Sequence, residues 1–200
     1  MSVIYKEQTE QIVQTQSLAA VDYMRGITRL MICLTWNCLC RLALLVVSPV
    51  ALVSRPLSKR VRKFISRRWI QGLSRLIGTR VTIKGQQPAA PFFMVGNHPT
   101  WIDLFSFLAH VDTTPIVEAP VRWVPIVGPL VGGLDPIWIH RRKEDTSRVV
   151  DLVYEAVLQG RSIIIAPETP VTTIVPVGSG VRMFRAGLFE AAVRARKPVH

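Results

Sequence analysis

The chain has 200 residues, of which 49% are hydrophobic, enough for one globular core and one domain or slightly more. Its 25 Lys and Arg residues outnumber 13 Asp and Glu, and the net charge of +12 implies an anionic partner. No acidic residue lies between Asp22 and Asp103, whereas thirteen basic residues do, and this stretch also holds the most apolar run. Basic clusters beside a long apolar run favour an anionic lipid surface and argue against nucleic acid.

The three cysteines lie inside the apolar run, at Cys33, Cys38 and Cys40. A secreted disulfide framework would need an even, dispersed set, and a metal site would need His or acidic ligands nearby. The cysteines therefore indicate small buried hydrophobic side chains in a reducing compartment, and we expect no metal.

The first 77 residues are predicted to form a polar arm, residues 1–28, and a membrane-anchoring segment, residues 29–77. Leu30–Val53 is almost entirely apolar and about as long as the ~20 residues that span a bilayer. Arg41 near its middle would cost roughly 2.5–3.5 kcal/mol in a bilayer, and Pro49 would kink the helix. Spanning the membrane and dipping into one leaflet both stay open.

Leu57–Ile77 has the pattern of a basic amphipathic helix that lies in a membrane interface. An ordinary helix that packs its apolar side on the core is the alternative. If the apolar run crosses the membrane, the heavier basic flank after it predicts that the remainder lies at the cytoplasmic face of the inner membrane. The apolar positions that recur at helical spacing are Leu57, Val61, Phe64, Ile65, Trp69, Leu73, Leu76 and Ile77.

Past Gly78, short apolar runs alternate with helical periodicity, which predicts an α/β domain over residues 78–200 with a mostly parallel sheet flanked by helices. The predicted strands are Val81–Lys84, Phe92–Val95, Ile116–Glu118, Ile137–His140 and Ser162–Ala166. The predicted helices are Trp101–His110, Ser147–Gln159 and one within Val181–Arg196. Residues 197–200 resemble the start of another strand, so we expect a fragment truncated at its C-terminus.

The segment Asn97–Asp103 carries the candidate chemistry, because it follows a buried strand and opens a helix, where α/β folds place their sites. His98 is suited to take a proton near neutral pH, and a carboxylate bound to its other nitrogen would fix its tautomer. His98 and Asp103 can meet if the first lies before the helix and the second in its first turn, which Pro99 favours. Thr100 and Asp103 also have capping-box spacing, so a purely structural role for Asp103 stays open.

Five segments in order resemble the glycerolipid (lysophospholipid) acyltransferases, a family that includes bacterial 1-acylglycerol-3-phosphate acyltransferases. The resemblance covers roughly residues 30–200. The segments are His98-x4-Asp103, Trp123-x-Pro125-x-x-Gly128, Ile139-His140-Arg141, Ile164-Ile165-Ala166-Pro167-Glu168 and Phe184-Arg185-Ala186-Gly187-Leu188-Phe189.

The resemblance implies direct acyl transfer without a metal or cofactor. His98, oriented by Asp103, would deprotonate the hydroxyl of an anionic lysolipid, which then attacks an acyl thioester. The donor would be acyl-CoA or acyl carrier protein. The expected acceptor is 1-acylglycerol-3-phosphate, and the product is phosphatidic acid.

The resemblance also assigns an acceptor site. Arg141, aided by Arg142, would bind the acceptor phosphate, for which a guanidinium is well suited. Glu168 would shape the same site, with Thr169 beside it.

The chain departs from the family pattern around this acceptor site. Thr169 replaces the family glycine, Pro170 stands where threonine is common, and His140 replaces an aspartate. Glycine allows the backbone to approach a phosphate closely, which these residues do not offer equally. Acylation of another lyso-lipid, such as a lyso-ornithine lipid, therefore stays open, and so does a non-catalytic membrane-associated lipid-binding protein.

Overall fold

The computed structural model describes residues 2–96, 100–140, 146–167 and 187–200, with the backbone alone described for residues 2–20, 101 and 146. The helices are α1 (Ser2–Val46), α2 (Val50–Val53), α3 (Arg55–Ile77), α4 (Trp101–His110), α5 (Val127–Gly132), α6 (Thr146–Leu158) and α7 (Gly187–Ala195), with a 3-10 helix at Ala119–Trp123. The strands are β1 (Phe93–Val95), β2 (Thr114–Glu118), β3 (Ile137–Ile139) and β4 (Ile163–Ile165).

The four strands form one sheet in the order β1-β4-β2-β3, and every pairing in it is parallel. The last residues of the chain add to the free edge of β1, where Val199 pairs in parallel with Phe93. The predicted α/β class with a mostly parallel sheet is therefore confirmed.

Helices cover both faces of the sheet, because the strand side chains alternate between two packed clusters. On the first face, Met94, Val117, Trp138 and Ile164 pack with residues of α1, α3, α4 and α5. On the second face, side chains of all four strands pack with α6 and α7. The four strand residues buried on the second face are Phe93, Ile137, Ile163 and Ile165.

A reciprocal pair of indole hydrogen bonds joins α1 to α3. Trp36 Nε1 donates to the Trp69 carbonyl oxygen at 2.9 Å, and Trp69 Nε1 donates to Asn37 Oδ1 at 2.8 Å. Gly72 lets the helices approach, because a Cβ there would overlap the Trp36 ring. The polar Asn37 inside the apolar run therefore serves helix packing, since a buried indole N–H needs a partner.

Most of the described side chains of α1, residues 21–46, are nevertheless exposed. Among the described residues, one segment, Val21–Val53, is long and apolar enough to cross a membrane, and 11% of its most apolar stretch is buried. The core helix of a soluble protein would bury most of that stretch, so this surface is consistent with membrane association. The helix runs on through residue 28, where we placed the end of the polar arm, and breaks before Pro49, as we expected.

The apolar stripe of α3 packs inside the protein, which corrects our interpretation of that stripe as a membrane face. Trp69 and Ile70 are fully buried, and Leu73 is nearly so, against α1 and α4. The alternative of a core-facing helix is the better description because α1 and α4 cover the stripe. Leu57 and Phe64, toward the start of α3, remain exposed.

The predicted strand Val81–Lys84 is wrong, since these residues form no regular structure and Ile83 is 62% exposed. A strand there has no free edge to join on β1, which pairs with β4 on one side and with Val199 on the other. The other predicted strands are present within one or two residues of their predicted bounds. Trp101–His110 matches α4, and Gly160, with φ 81°, follows α6 as predicted.

Candidate active site

The sheet has a topological switch point between its neighbouring strands β1 and β4. From β1 the chain passes through α4 on the first face to β2, whereas after β4 it reaches α7 on the second face. Connections that leave adjacent strands toward opposite faces open a crevice at the carboxyl ends of those strands. Gly96 N still donates to the Ile165 carbonyl oxygen at 3.2 Å, so the two strands run together up to this crevice.

The two strands that border the crevice lead directly into the predicted catalytic and acceptor motifs. Gly96 ends the described part after β1, and His98 follows two residues later. Pro167 ends the described part after β4, and Glu168 and Thr169 follow. The placement of His98, Glu168 and Thr169 themselves, and that of Arg141 and Arg142, lies outside the described residues.

Asp103 lies in the first turn of α4, which is the position that our geometric argument required. Its Oδ2 accepts hydrogen bonds from Thr100 N at 2.8 Å and from Thr100 Oγ1 at 2.9 Å. The capping box between Thr100 and Asp103, which the spacing allowed, is therefore present in the structure. The bonds to Thr100 engage Oδ2. A carboxylate accepts several hydrogen bonds, so capping the helix and orienting a histidine are compatible roles.

The second motif begins at the end of β3, the strand that the apolar pattern predicted at Ile137–His140. Ile139 is the last residue of the strand, and His140 follows it as an exposed residue at the carboxyl edge of the sheet. Because Ile139 pairs with Glu118 of β2, the second motif leaves the sheet beside that residue.

Glu118 is a residue of this edge that the sequence analysis did not single out. It is half-buried at the carboxyl end of β2, and the β2–β4 register, extended from Pro115 opposite Ile164, places it level with Pro167. Two strand spacings put its backbone about 10 Å from the line of β1. The sequence feature that could have identified Glu118 is its position as a charged residue at the end of an apolar strand.

The Trp-Pro-Gly segment shapes the turn after β2. A Cβ on Gly128 would lie 2.9 Å from the Val121 carbonyl oxygen and closer still to that of Arg122, so only glycine fits. Arg122 lies over the ring of Trp138, 5.0 Å from its centroid. Among the described residues, no group of three or more His, Cys, Asp and Glu side chains could hold a metal ion.

Comparisons with known proteins agree with the motifs and with the fold. The acyltransferase family model matches residues 79–200, which is more than half of the chain. The 1-acyl-sn-glycerophosphate acyltransferase PlsC of Thermotoga maritima has the same fold, with a TM-score of 0.62 at 18% identity over 88% of this chain and 73% of that one.

Two kinds of curated relative are similar in sequence. A lyso-ornithine lipid O-acyltransferase of Pseudomonas aeruginosa is 27% identical over 68% of this chain and 51% of the relative. A 1-acyl-sn-glycerol-3-phosphate acyltransferase of Neisseria gonorrhoeae is 24% identical over 51% of this chain and 39% of the relative. The chain thus spans about half the length, or less, of these relatives. On the match of the family model to residues 79–200, the chain belongs to the acyltransferase family.

Proposed function

We propose that this protein transfers a fatty acyl group from a thioester to the free hydroxyl of 1-acylglycerol-3-phosphate, forming phosphatidic acid in phospholipid synthesis. The observation that carries the proposal is the switch point between β1 and β4, whose strands run into the His98 and Glu168 motifs. Asp103, held by two hydrogen bonds at the start of α4, supports the assignment of His98 as the base.

In the proposed reaction, His98 takes the proton of the acceptor hydroxyl as its oxygen attacks the thioester carbonyl carbon. Asp103 orients the imidazole and stabilises its protonated form. The tetrahedral intermediate then collapses with cleavage of the carbon–sulfur bond. The imidazolium returns its proton to the departing thiolate of coenzyme A or acyl carrier protein, so no cofactor is consumed.

The acceptor would be held by the second and third motifs. Arg141, assisted by Arg142, binds its phosphate, and Glu168 with Thr169 shapes the opposite side. We place the reaction at the cytoplasmic face of the inner membrane, on an anionic lipid surface. The apolar surface of α1 supports the membrane part, and exposed basic side chains of α3 such as Arg55 and Arg60 support the anionic lipid.

A lyso-ornithine lipid is the second candidate acceptor, favoured by two observations. Relatives named for that activity match 68% and 76% of this chain, against 51% for the relatives named for 1-acylglycerol-3-phosphate. In addition, Thr169 and Pro170 alter the motif that follows β4.

The test is acyl transfer by the protein in detergent, from labelled acyl-CoA and labelled acyl carrier protein, to 1-acylglycerol-3-phosphate and to lyso-ornithine lipid. Turnover of the phosphate acceptor, with a raised KM in Arg141→Ala, is the expected result. Turnover of lyso-ornithine lipid alone would keep the reaction and replace the acceptor. Folded protein that shows no acyl transfer with any donor and acceptor would contradict the proposal and favour a non-catalytic lipid-binding protein.

A further inference from the structure

The turn that follows β2 exposes a large indole at the carboxyl edge of the sheet. Trp123 ends the 3-10 helix after β2 and is 81% exposed, and its neighbour Val124 is 44% exposed. Tryptophan is highly buried on average in soluble proteins. Trp69, in the same protein, is fully buried, so the exposure of Trp123 calls for a physical reason.

The turn that presents Trp123 is closely constrained. Ile126 has φ 65° and ψ −58°, and Val127 N donates to the Pro125 carbonyl oxygen at 2.6 Å, which makes a γ-turn of the strained kind. Positive φ at a β-branched residue costs about 1–3 kcal/mol and persists only where the surroundings enforce it. The indole therefore projects from a fixed support.

Three hydrogen-bonding and packing features supply that enforcement. Val124 N donates to the Val121 carbonyl oxygen at 3.1 Å, and Gly128 N donates to the Val124 carbonyl oxygen at 2.8 Å. Gly128 also lies too close to the preceding turn to carry a side chain. Arg122, the residue before Trp123, is exposed and lies over the Trp138 ring, so the turn itself carries a cation.

The turn and the α5 helix that follows it pack with α1. Val121 and Ile126 pack in the same cluster as Cys40 and Leu44, which are the buried residues of the C-terminal half of α1. The other sides of that half of α1 expose apolar side chains that an aqueous surface would disfavour. These exposed side chains are Leu39, Leu42, Leu45 and Val46.

We propose that Trp123 is a second membrane contact, with its indole in the headgroup region of the bilayer that receives the apolar surface of α1. Indoles favour this level, where an apolar ring and an N–H are both satisfied, and an adjacent guanidinium favours anionic headgroups. The contact holds the carboxyl edge of the sheet against the lipid that supplies the acceptor hydroxyl. This consequence rests on the proposed function, whereas the contact itself does not.

The test measures lipid contact without turnover. The protein is reconstituted in nanodiscs that contain anionic lipid, with bromine atoms placed either near the headgroups or deep in the acyl chains, and tryptophan emission is recorded. We expect the shallow bromines to quench part of the emission, and we expect Trp123→Phe to lose that part. Equal shallow quenching of the wild-type protein and of Trp123→Phe would overturn the proposal.

A matched pair of charge substitutions provides the second measurement. Val124→Asp places a carboxylate beside the indole and should reduce the shallow quenching of Trp123, because anionic headgroups repel it. Val193→Asp is the control, since Val193 is 76% exposed on α7, on the second face of the sheet. Equal quenching in the two variants would also overturn the proposal. Absence of acyl transfer by wild-type protein that shows the expected quenching would count against the proposed function alone.

Discussion

Replacing Asn37 by leucine should destabilise the protein, although it makes α1 more apolar. Trp69 Nε1 donates to Asn37 Oδ1 at 2.8 Å, and Trp69 is fully buried with an edge contact to Phe105. The substitution therefore leaves a buried indole N–H without its acceptor, which costs about 1–3 kcal/mol. At roughly 2–4 °C per kcal/mol for a chain of this size, we expect Tm to fall by about 2–12 °C.

The assay is thermal unfolding of the wild-type protein and the variant in one detergent. Thr35→Val is the control, because the exposed Thr35 hydroxyl donates to the Met31 carbonyl oxygen of its own helix, at 2.9 Å. We expect Thr35→Val to keep or raise the Tm of the wild type. A Tm for Asn37→Leu that equals or exceeds that of the wild type would refute the reasoning. It would mean that Asn37 faces detergent and that α1 does not pack on α3 as described.

Three further predictions concern the site and the turn beside it. Gly128→Ala should lower stability by about 1–3 kcal/mol, because its Cβ would meet main-chain carbonyl oxygens; Gly132→Ala, whose nearest contact would be 3.9 Å, is the control in thermal unfolding. Thr100→Val should lower kcat/KM roughly fivefold, since the Asp103 carboxylate loses a 2.9 Å hydrogen bond worth about 1 kcal/mol. Steady-state kinetics check this, with Thr100→Ser as the control that should keep the rate. Glu118→Gln should raise the rate ratio for phosphate-bearing over ammonium-bearing acceptors by roughly tenfold or more, because unit charges about 10 Å apart interact with about 1.7 kcal/mol at an effective dielectric constant near 20; an unchanged ratio in competition assays would exclude this role.

The sequence predicted those elements whose local signals agree with their surroundings. The α4 helix was placed correctly because Thr100 and Asp103 mark its start and its apolar positions have helical spacing. The strands β1, β3 and β4 are short apolar runs that become fully covered in a parallel sheet, so their hydrophobicity alone revealed them.

What covers an apolar face was not predictable from periodicity. The stripe of α3 around Trp69 has the spacing expected of a membrane helix and of a core helix alike, and the packing of α1 and α4 decides between them. Likewise Val81–Lys84 has strand composition, but both sides of the neighbouring strand β1 are already paired. Composition predicts a tendency, whereas pairing depends on the whole topology.

The site shows the same division between local and long-range information. The position of Asp103 in the first helical turn followed from its spacing to Pro99 and Thr100. The insertion of β4 between β1 and β2, which creates the switch point, depends on contacts far apart in the chain. The strained γ-turn at Ile126 was invisible in the sequence, because isoleucine gives no local signal for positive φ.

The central claim is that His98 is the base of an acyl-transfer reaction and that Asp103 orients it. The most direct measurement is single-turnover acyl transfer by the wild-type protein, His98→Ala and Asp103→Ala, with His110→Ala as the control. His110 is exposed at the end of α4, with Nδ1 2.8 Å from the Ser106 carbonyl oxygen, so it lies away from the start of that helix. The account predicts a loss of roughly 10²–10⁴-fold in His98→Ala, a smaller loss in Asp103→Ala and none in His110→Ala. Wild-type rates in a folded His98→Ala variant would contradict it.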